Sequence, residues 1–402
     1  MTAFSYLTHL ECAREGTRYD ASVPQRLCEC GSPLLARYDL DAARAEWSKD
    51  SLVGEPHTMW RYHALLPVQS ADAVVSLGEG LTPILDLPHY GRAIGVPNLV
   101  AKDEGQLPTG SFKARGASAG VSRARELGID RIAMPTNGNA GAAWSAYAAR
   151  AGLEMLVVMP KDAPEMTRKE CVAAGADLRL VDGLIGDAGA IVARASDRHG
   201  YFPVSTLKEP YRLEGKKTMG FEIAEQGGWQ LPGVIVYPAG GGVGLIGIVK
   251  ALRELAVLGW ISGPLPRMVA VQAAGCAPIV RAFQAGAETA EPWQDAHTVA
   301  FGINVASGVG DFLMLEAIRA TGGCAVAVTD DALLAELAAC ARSDGAFFCP
   351  EGAATLAAVK QLRASGWLGR DERVLVINTG SPLKYPDAVR ADPPLLQVDD
   401  DV

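Results

Sequence analysis

The sequence predicts an α/β fold with a largely parallel sheet, or two such sheets, on three observations. From about residue 98, short β-branched apolar runs alternate with longer Ala/Leu-rich stretches of helical character. Several of the short runs are hydrophobic at every position, as expected of strands covered on both faces. Small and polar loops then follow the strands at their carboxyl ends, where an open α/β sheet binds its ligand.

Taken in order, the strands are expected at Leu99–Lys102, Arg131–Met134, Met155–Met159, Leu178–Val181, Gly233–Tyr237, Met268–Gln272, Ala325–Val328 and Arg373–Ile377. Between them the helical pattern covers Gly141–Ala151, Glu165–Ala174, Asp187–Arg198, Gly244–Leu258, Asp331–Ala341 and Glu351–Ala364. Residues 1–45 break this rhythm. Cys12, Cys28 and Cys30, with Gly31 following, resemble half of a zinc ribbon, whereas a complete site wants four ligands in two close pairs. The first pair is missing its partner, and His9 or Glu15 stand as the available substitutes. The expectation is therefore a degenerate, ribbon-like β-appendage that holds no metal. Residues 391–402, acidic at their end, read as a loose tail.

Composition narrows the function. The 402 residues are 49% hydrophobic and 21% charged, ample for a large core and for two to three domains. A net charge of −9 without basic runs argues against nucleic acid or an anionic membrane as partner and favours a small ligand. The first residues show no secretory pattern, and no apolar run approaches the length of a membrane span. The eight cysteines are then expected to be reduced, and the compartment to be the cytoplasm.

Four segments carry chemistry. In Leu107–Gly116 a Pro-Thr-Gly-Ser turn leads into a helix with Lys113 in its first turn. A surface lysine there is unremarkable, but the positive end of a helix dipole together with burial lowers an amine's pKa and makes it a nucleophile. In Ala239–Gly247, consecutive glycines between a strand and a helix let backbone N–H groups converge on an anion. A dinucleotide site would want an acidic residue at the tip of the next strand; Ala270-Val271-Gln272 offers none, so a single phosphate fits better. Pro135–Ala143 also lies at a strand-to-helix junction and by itself could be an N-cap through Asn137 or Asn139. Asn378-Thr379-Gly380-Ser381-Pro382 alone could be any turn after a strand.

Together with Leu77–Pro83 and Tyr211–Thr218, these segments resemble the fold-type-II pyridoxal-phosphate enzymes, most closely the threonine synthase group. The resemblance implies two open, twisted αβα sheet domains with the cofactor between them. Residues 46–116 and 211–390 would form the larger domain, and 117–210 a smaller, mobile one that closes the site. Lys113 would carry the cofactor covalently and shuttle protons. Asn139 would bond the cofactor's 3'-oxygen; Gly240, Gly241, Gly242, Val243 and Gly244 would hold its phosphate; Thr379 would meet the pyridine nitrogen through a hydroxyl. Asn137, Gly138, Ala140 and Gly141 would grip the substrate α-carboxylate. Thr109, Ser111, Lys208, Arg212 and Lys216 are the candidates for a substrate phosphate, with Glu209 in the same shell. The implied reaction turns O-phospho-L-homoserine and water into L-threonine and phosphate, in a homodimer.

The chain departs from that pattern at Ala114, at Glu209, in the all-glycine loop before Val243, and at Ser381-Pro382. Glu209 matters most, because a carboxylate repels a phosphorylated substrate unless it is paired or spent on capping the helix near Pro210. Two other readings stay open: elimination or β-replacement on serine or threonine derivatives with the same cofactor, and a homologue without catalysis.

Overall fold

A computed structural model describes residues 3–389, 392–398 and 400 of the chain. The N-terminal segment forms β1 (Leu7–Cys12), β2 (Arg18–Tyr19) and β3 (Leu34–Tyr38), paired antiparallel in the order β2-β1-β3. It is no detached appendage. Leu10, Leu34, Ala36 and Tyr38 share one buried cluster with Met219, Phe221, Leu245 and Trp260, so the little sheet borrows a core it is too small to build alone.

A second sheet opens with β4 (Ile84–Asp86) and β5 (Leu99–Asp103). The chain then leaves it to build β6 (Arg131–Pro135), β7 (Glu154–Pro160), β8 (Asp177–Val181) and β9 (Phe202–Pro203). It returns for β10 (Val234–Pro238), β11 (Arg267–Ala273), β12 (Cys324–Val328) and β13 (Val374–Asn378). The six-stranded sheet runs β12-β11-β10-β13-β5-β4, parallel except where β4 meets β5, and the four-stranded sheet runs β8-β7-β6-β9, parallel throughout. Every residue of β10 and β13 is buried, the consequence of helices on both faces. β8 lies at an edge and is largely exposed.

All eight expected strands are present, and each of the six expected helices begins within two residues of its expected start. The two-sheet architecture inferred by resemblance is also present, the smaller sheet inserted in sequence between β5 and β10. Several elements had no expectation, among them the antiparallel edge strand β4, the two-residue strand β9, the helices Pro278–Gln284 and Asp311–Ala320, and the extent of the helix Arg212–Gln226. That helix is buried from Arg212 to Ala224 although it reads as a surface sequence rich in charge. Of the expected loose tail, residues 392–398 contain no helix or strand, while 391, 399, 401 and 402 lie outside the described residues.

Candidate active site

The four segments converge because each leaves the carboxyl end of a parallel strand: the first follows β5, the others β6, β10 and β13. Two of them are zipped together. Phe112 N donates to Thr379 O at 3.0 Å, Ser381 N donates to Gly110 O at 2.8 Å, and Ser111 pairs with Gly380 in an isolated antiparallel bridge. The turn that presents Lys113 needs left-handed backbone at Thr109 (φ 64°) and Gly110 (φ 59°). These main-chain bonds hold that turn in place. Lys113 then opens the helix Lys113–Glu126 with no side-chain cap competing for its first N–H groups.

Burial pulls the Lys113 amine down to about 8, Arg212 adds to the shift, and Glu351 opposes it. Its Nζ lies 4.5 Å from the centre of the Phe112 ring, and the Lys216 Nζ lies 4.1 Å from the same ring. Burial, and then the neighbouring charge of Lys113, push the Lys216 amine well below the usual lysine range. Both amines therefore carry less positive charge near neutrality than surface lysines do, and Lys113 is the nucleophile the sequence suggests.

The glycine loop is a cradle that side chains would fill. A Cβ on Gly240 would meet Gly302 O at 2.8 Å, and one on Gly242 would meet the Met314 side chain at 2.7 Å. Gly242, at φ 74°, turns the chain into the helix Val243–Val257, so successive N–H groups face one place. Gly244 serves packing as well, because a Cβ there would fall 2.0 Å from Tyr237 Oη. Thr206 and the loop through Gly302 and Gly308 flank the cradle.

Thr379 is buried, and its Oγ1 lies 3.8 Å from Cys349 Sγ, which itself bonds Asn378 Oδ1 at 3.2 Å. The Asn139 side chain donates to Tyr385 Oη at 3.0 Å; Tyr385 donates to Glu351 Oε1 at 2.9 Å, and Gly302 N donates to the same oxygen at 2.5 Å. Cys349, Glu351 and Tyr385 were absent from the sequence expectation. Each stands alone in its own stretch of sequence, and only the tertiary contact gives it meaning.

Thr109 Oγ1, Ser111 Oγ, Asn137 Oδ1 and Glu351 Oε2 are buried polar atoms without a hydrogen-bond partner. Such atoms are rare in folded proteins, and four around one cleft indicate groups that a ligand satisfies. With a buried amine, a glycine cradle at a helix N-terminus and a neutral hydroxyl, these residues fit pyridoxal 5'-phosphate and an amino-acid substrate.

Glu209 and Arg212 are both engaged by the protein itself. Glu209 accepts from Tyr211 N at 2.9 Å, from Arg212 N at 3.0 Å and from Arg212 Nε at 3.0 Å. It caps the helix start and pairs with Arg212, the capping role the sequence left open for it. Arg212 is equally spent: Nε goes to Glu209, one terminal nitrogen to Thr206 Oγ1 at 3.0 Å, and the other to Val204 O. Its guanidinium joins the segment after β9 to the helix it begins, so it is a positioning residue rather than a phosphate ligand. Lys208 is exposed.

The chain matches the family described as pyridoxal-phosphate dependent enzyme over residues 75–380. It is 35% identical to a threonine synthase of Methanocaldococcus jannaschii over 393 residues, 97% of this chain and 96% of that one. A threonine synthase of Methanosarcina acetivorans is 36% identical over 95% of this chain and 93% of its own. Among solved structures, a threonine deaminase from Solanum lycopersicum aligns with a TM-score of 0.65 at 20% identity, covering 77% of this chain and 87% of its own. Maize serine racemase aligns with a TM-score of 0.64 at 21% identity, over 75% and 88%. At that identity the two structures speak for the fold.

Proposed function

We propose a reaction from one premise: the chain belongs to the pyridoxal-phosphate-dependent enzyme family, among the threonine synthases. It converts O-phospho-L-homoserine and water into L-threonine and phosphate. The observation that carries this is the convergence of Lys113, the glycine cradle and Thr379 on one cleft in a chain of full-length likeness to those relatives.

When bound, the cofactor supplies an electron sink that makes the protons of Cα and Cβ removable. The amides of Gly240–Gly244 hold its phosphate, and the Thr379 hydroxyl meets its ring nitrogen without adding charge. Asn139, steadied by Tyr385, is placed to bond its 3'-oxygen. At the start of the helix Asn139–Ala151, the segment Asn137–Gly141 takes the substrate α-carboxylate, an anion at a helix N-terminus. Lys113 Nζ, free of its proton above about pH 8, accepts the Cα proton and returns one later in the sequence. Thr109 and Ser111 offer unpartnered hydroxyls to the substrate phosphate, with Lys216 as a nearby amine donor. The phosphate leaves from Cγ, a proton given up by Cβ is replaced by one delivered to Cγ, water places its hydroxyl on Cβ, and its remaining proton goes to the departing phosphate, which serves as a local acid–base partner. Because Glu209 is consumed by the helix Arg212–Gln226, it no longer counts against a phosphorylated substrate.

The segment 117–210 acts as the closing unit, excluding water until elimination is complete. We place the enzyme in the cytoplasm as a homodimer. Coupled assays test the reaction: O-phospho-L-homoserine yields phosphate and threonine in equal amounts. Formation of 2-oxobutyrate from threonine, with no turnover of the phosphorylated substrate, would move the assignment to a dehydratase. A purified protein with no visible absorbance that depends on Lys113 would leave a homologue without catalysis.

A further inference from the structure

The geometry points to a tetrahedral site for one zinc ion in the N-terminal sheet, with Cys12, Cys28 and Cys30 as thiolate ligands and Glu15 as the fourth. One ligand atom from each lies within 4.8 Å of all the others. The separations match a metal-centred tetrahedron. Bonds of about 2.3 Å to sulfur and about 2.1 Å to oxygen imply S–S edges of roughly 3.8 Å and S–O edges of roughly 3.6 Å. Cys12 Sγ and Cys30 Sγ are 3.5 Å apart, and Cys28 Sγ and Glu15 Oε2 are 3.7 Å apart. A disulfide would need about 2.05 Å between sulfurs.

The local backbone is built for this. β1 ends at Cys12, and the turn after it aims Arg14 N and Glu15 N at Cys12 Sγ at 3.5 and 3.4 Å. Amide donors of this kind stabilise a thiolate over a thiol. Opposite, Gly31 N closes a turn onto Cys28 O at 2.8 Å, and Tyr19 Oη donates to Cys28 Sγ at 3.2 Å. The turn after Cys12 thus supplies its second ligand from Glu15, where a cysteine would complete the usual pair. His9 stands outside this cluster, its Nδ1 bonded to Thr8 Oγ1 at 2.8 Å and its Nε2 3.8 Å from Glu11. Three thiolates select a soft, thiophilic cation, and each thiol gives up a proton on binding.

The site has a structural task. The excursion from Ala13 to Gly31 is mostly exposed and buries few apolar side chains. Yet Ala21 O accepts from Arg123 at 2.6 Å and from Tyr211 Oη at 3.4 Å. Tyr211 directly precedes the helix that Arg212 begins. Tethering both ends of the loop to one ion fixes Ala21 against that helix start, beside the active cleft.

The test uses the full-length chain, purified without chelator and fully reduced. Elemental analysis should find about one zinc per chain. Replacement by Co(II) should give tetrahedral ligand-field bands and a thiolate-to-cobalt band that loses about a third of its intensity in Cys30→Ser. Glu15→Gln should keep the thiolate band and weaken metal affinity by about 10- to 100-fold, a range borrowed from second-shell losses. Wild-type chain that binds neither zinc nor cobalt, or that forms a Cys12–Cys30 disulfide instead, overturns the proposal whatever the variants do. Unchanged affinity in Glu15→Gln removes Glu15 from the site. None of these readouts depends on turnover.

Discussion

The two parallel sheets share a strand–helix plan and differ in how they hold charge. Around the six-stranded sheet two groups of charges are buried and paired. Arg115 bridges Glu104 at 2.6 Å and Glu222 at 2.5 Å, and Lys102 meets Glu222 at 2.8 Å, all four fully inaccessible. Lys217 and Lys250 share Glu214 and Glu254 in a second group. Around the four-stranded sheet the pairs are exposed: Lys161 with Asp182, Lys169 with Glu165, Arg179 with Asp177. Two of its helices, Glu165–Ala173 and Ile185–His199, bury few residues, and Met166, Val172, Leu184 and Ile185 are open to solvent. One body is a platform in which charges have a single arrangement. The other is a lighter unit, linked to the platform's C-terminal segment by contacts such as Lys384 with Glu170 and Tyr385 with Asn139. A sheet with buried, paired charge beside one with exposed pairs is the arrangement that the proposed closing of residues 117–210 would use.

The largest effect is expected at the platform's reactive amine. Lys113→Ala should abolish the visible cofactor absorbance and cut turnover by about 10⁴-fold or more. Capture of added cofactor by the cofactor-free wild type should accelerate with pH and level off above about 8, because burial has lowered the amine from its usual value. A plateau delayed to the ordinary lysine range would deny Lys113 its special environment.

Next comes the ion-pair floor. Glu222→Gln strands Arg115 and Lys102 without their shared carboxylate and should cost about 3–5 kcal/mol in denaturant unfolding. Burial alone would raise the Glu222 carboxyl, yet Arg115 and then Lys102 hold it down at about 2. A depressed carboxylate stabilises the fold above its unfolded pKa and stops doing so as pH falls through the folded one. The deficit of the variant should therefore be full above about pH 4.5 and fade toward about pH 2. A loss below about 1 kcal/mol would erase the contrast between the two sheets.

Cutting a tie should be milder. Lys384→Met releases Glu170 and should cost about 1–3 kcal/mol at most. Hydrogen exchange should quicken in residues 154–181 and leave β10 and β13 unchanged; equal quickening in both sheets would mean they open as one unit. The smallest effect belongs to Glu165→Ala, whose partner Lys169 is as exposed as Glu165 itself. It should shift stability by no more than about 0.5 kcal/mol, and less at high salt.

Lys113, the glycine loop and the Asn137–Gly141 turn are legible in the sequence because each is a contiguous run between a strand and a helix, its chemistry set by neighbours a few residues away. Arg212 and Glu209 mislead for the opposite reason. Their types suggest a phosphate shell, but Glu209 is held by the amides and guanidinium just after it, and Arg212 also reaches back to Thr206 and Val204. Cys349, Glu351 and Tyr385 stay silent because their partners lie roughly 30 to 250 positions away.

The sequence by itself determined the alternation of the eight main strands with their helices, the parallel sense of those strands and the loops gathered at their carboxyl ends. Periodic burial and local turn chemistry need no distant partner to be read. Only the tertiary structure decided that Arg212–Gln226, charged at nearly every turn, lies inside the molecule. A buried charge is stable only against an opposite one, and Arg115, Lys102 and Lys250 reach that helix from elements far away in the chain. Only the tertiary structure, likewise, brought Glu15 to three cysteines whose spacing had suggested an incomplete site.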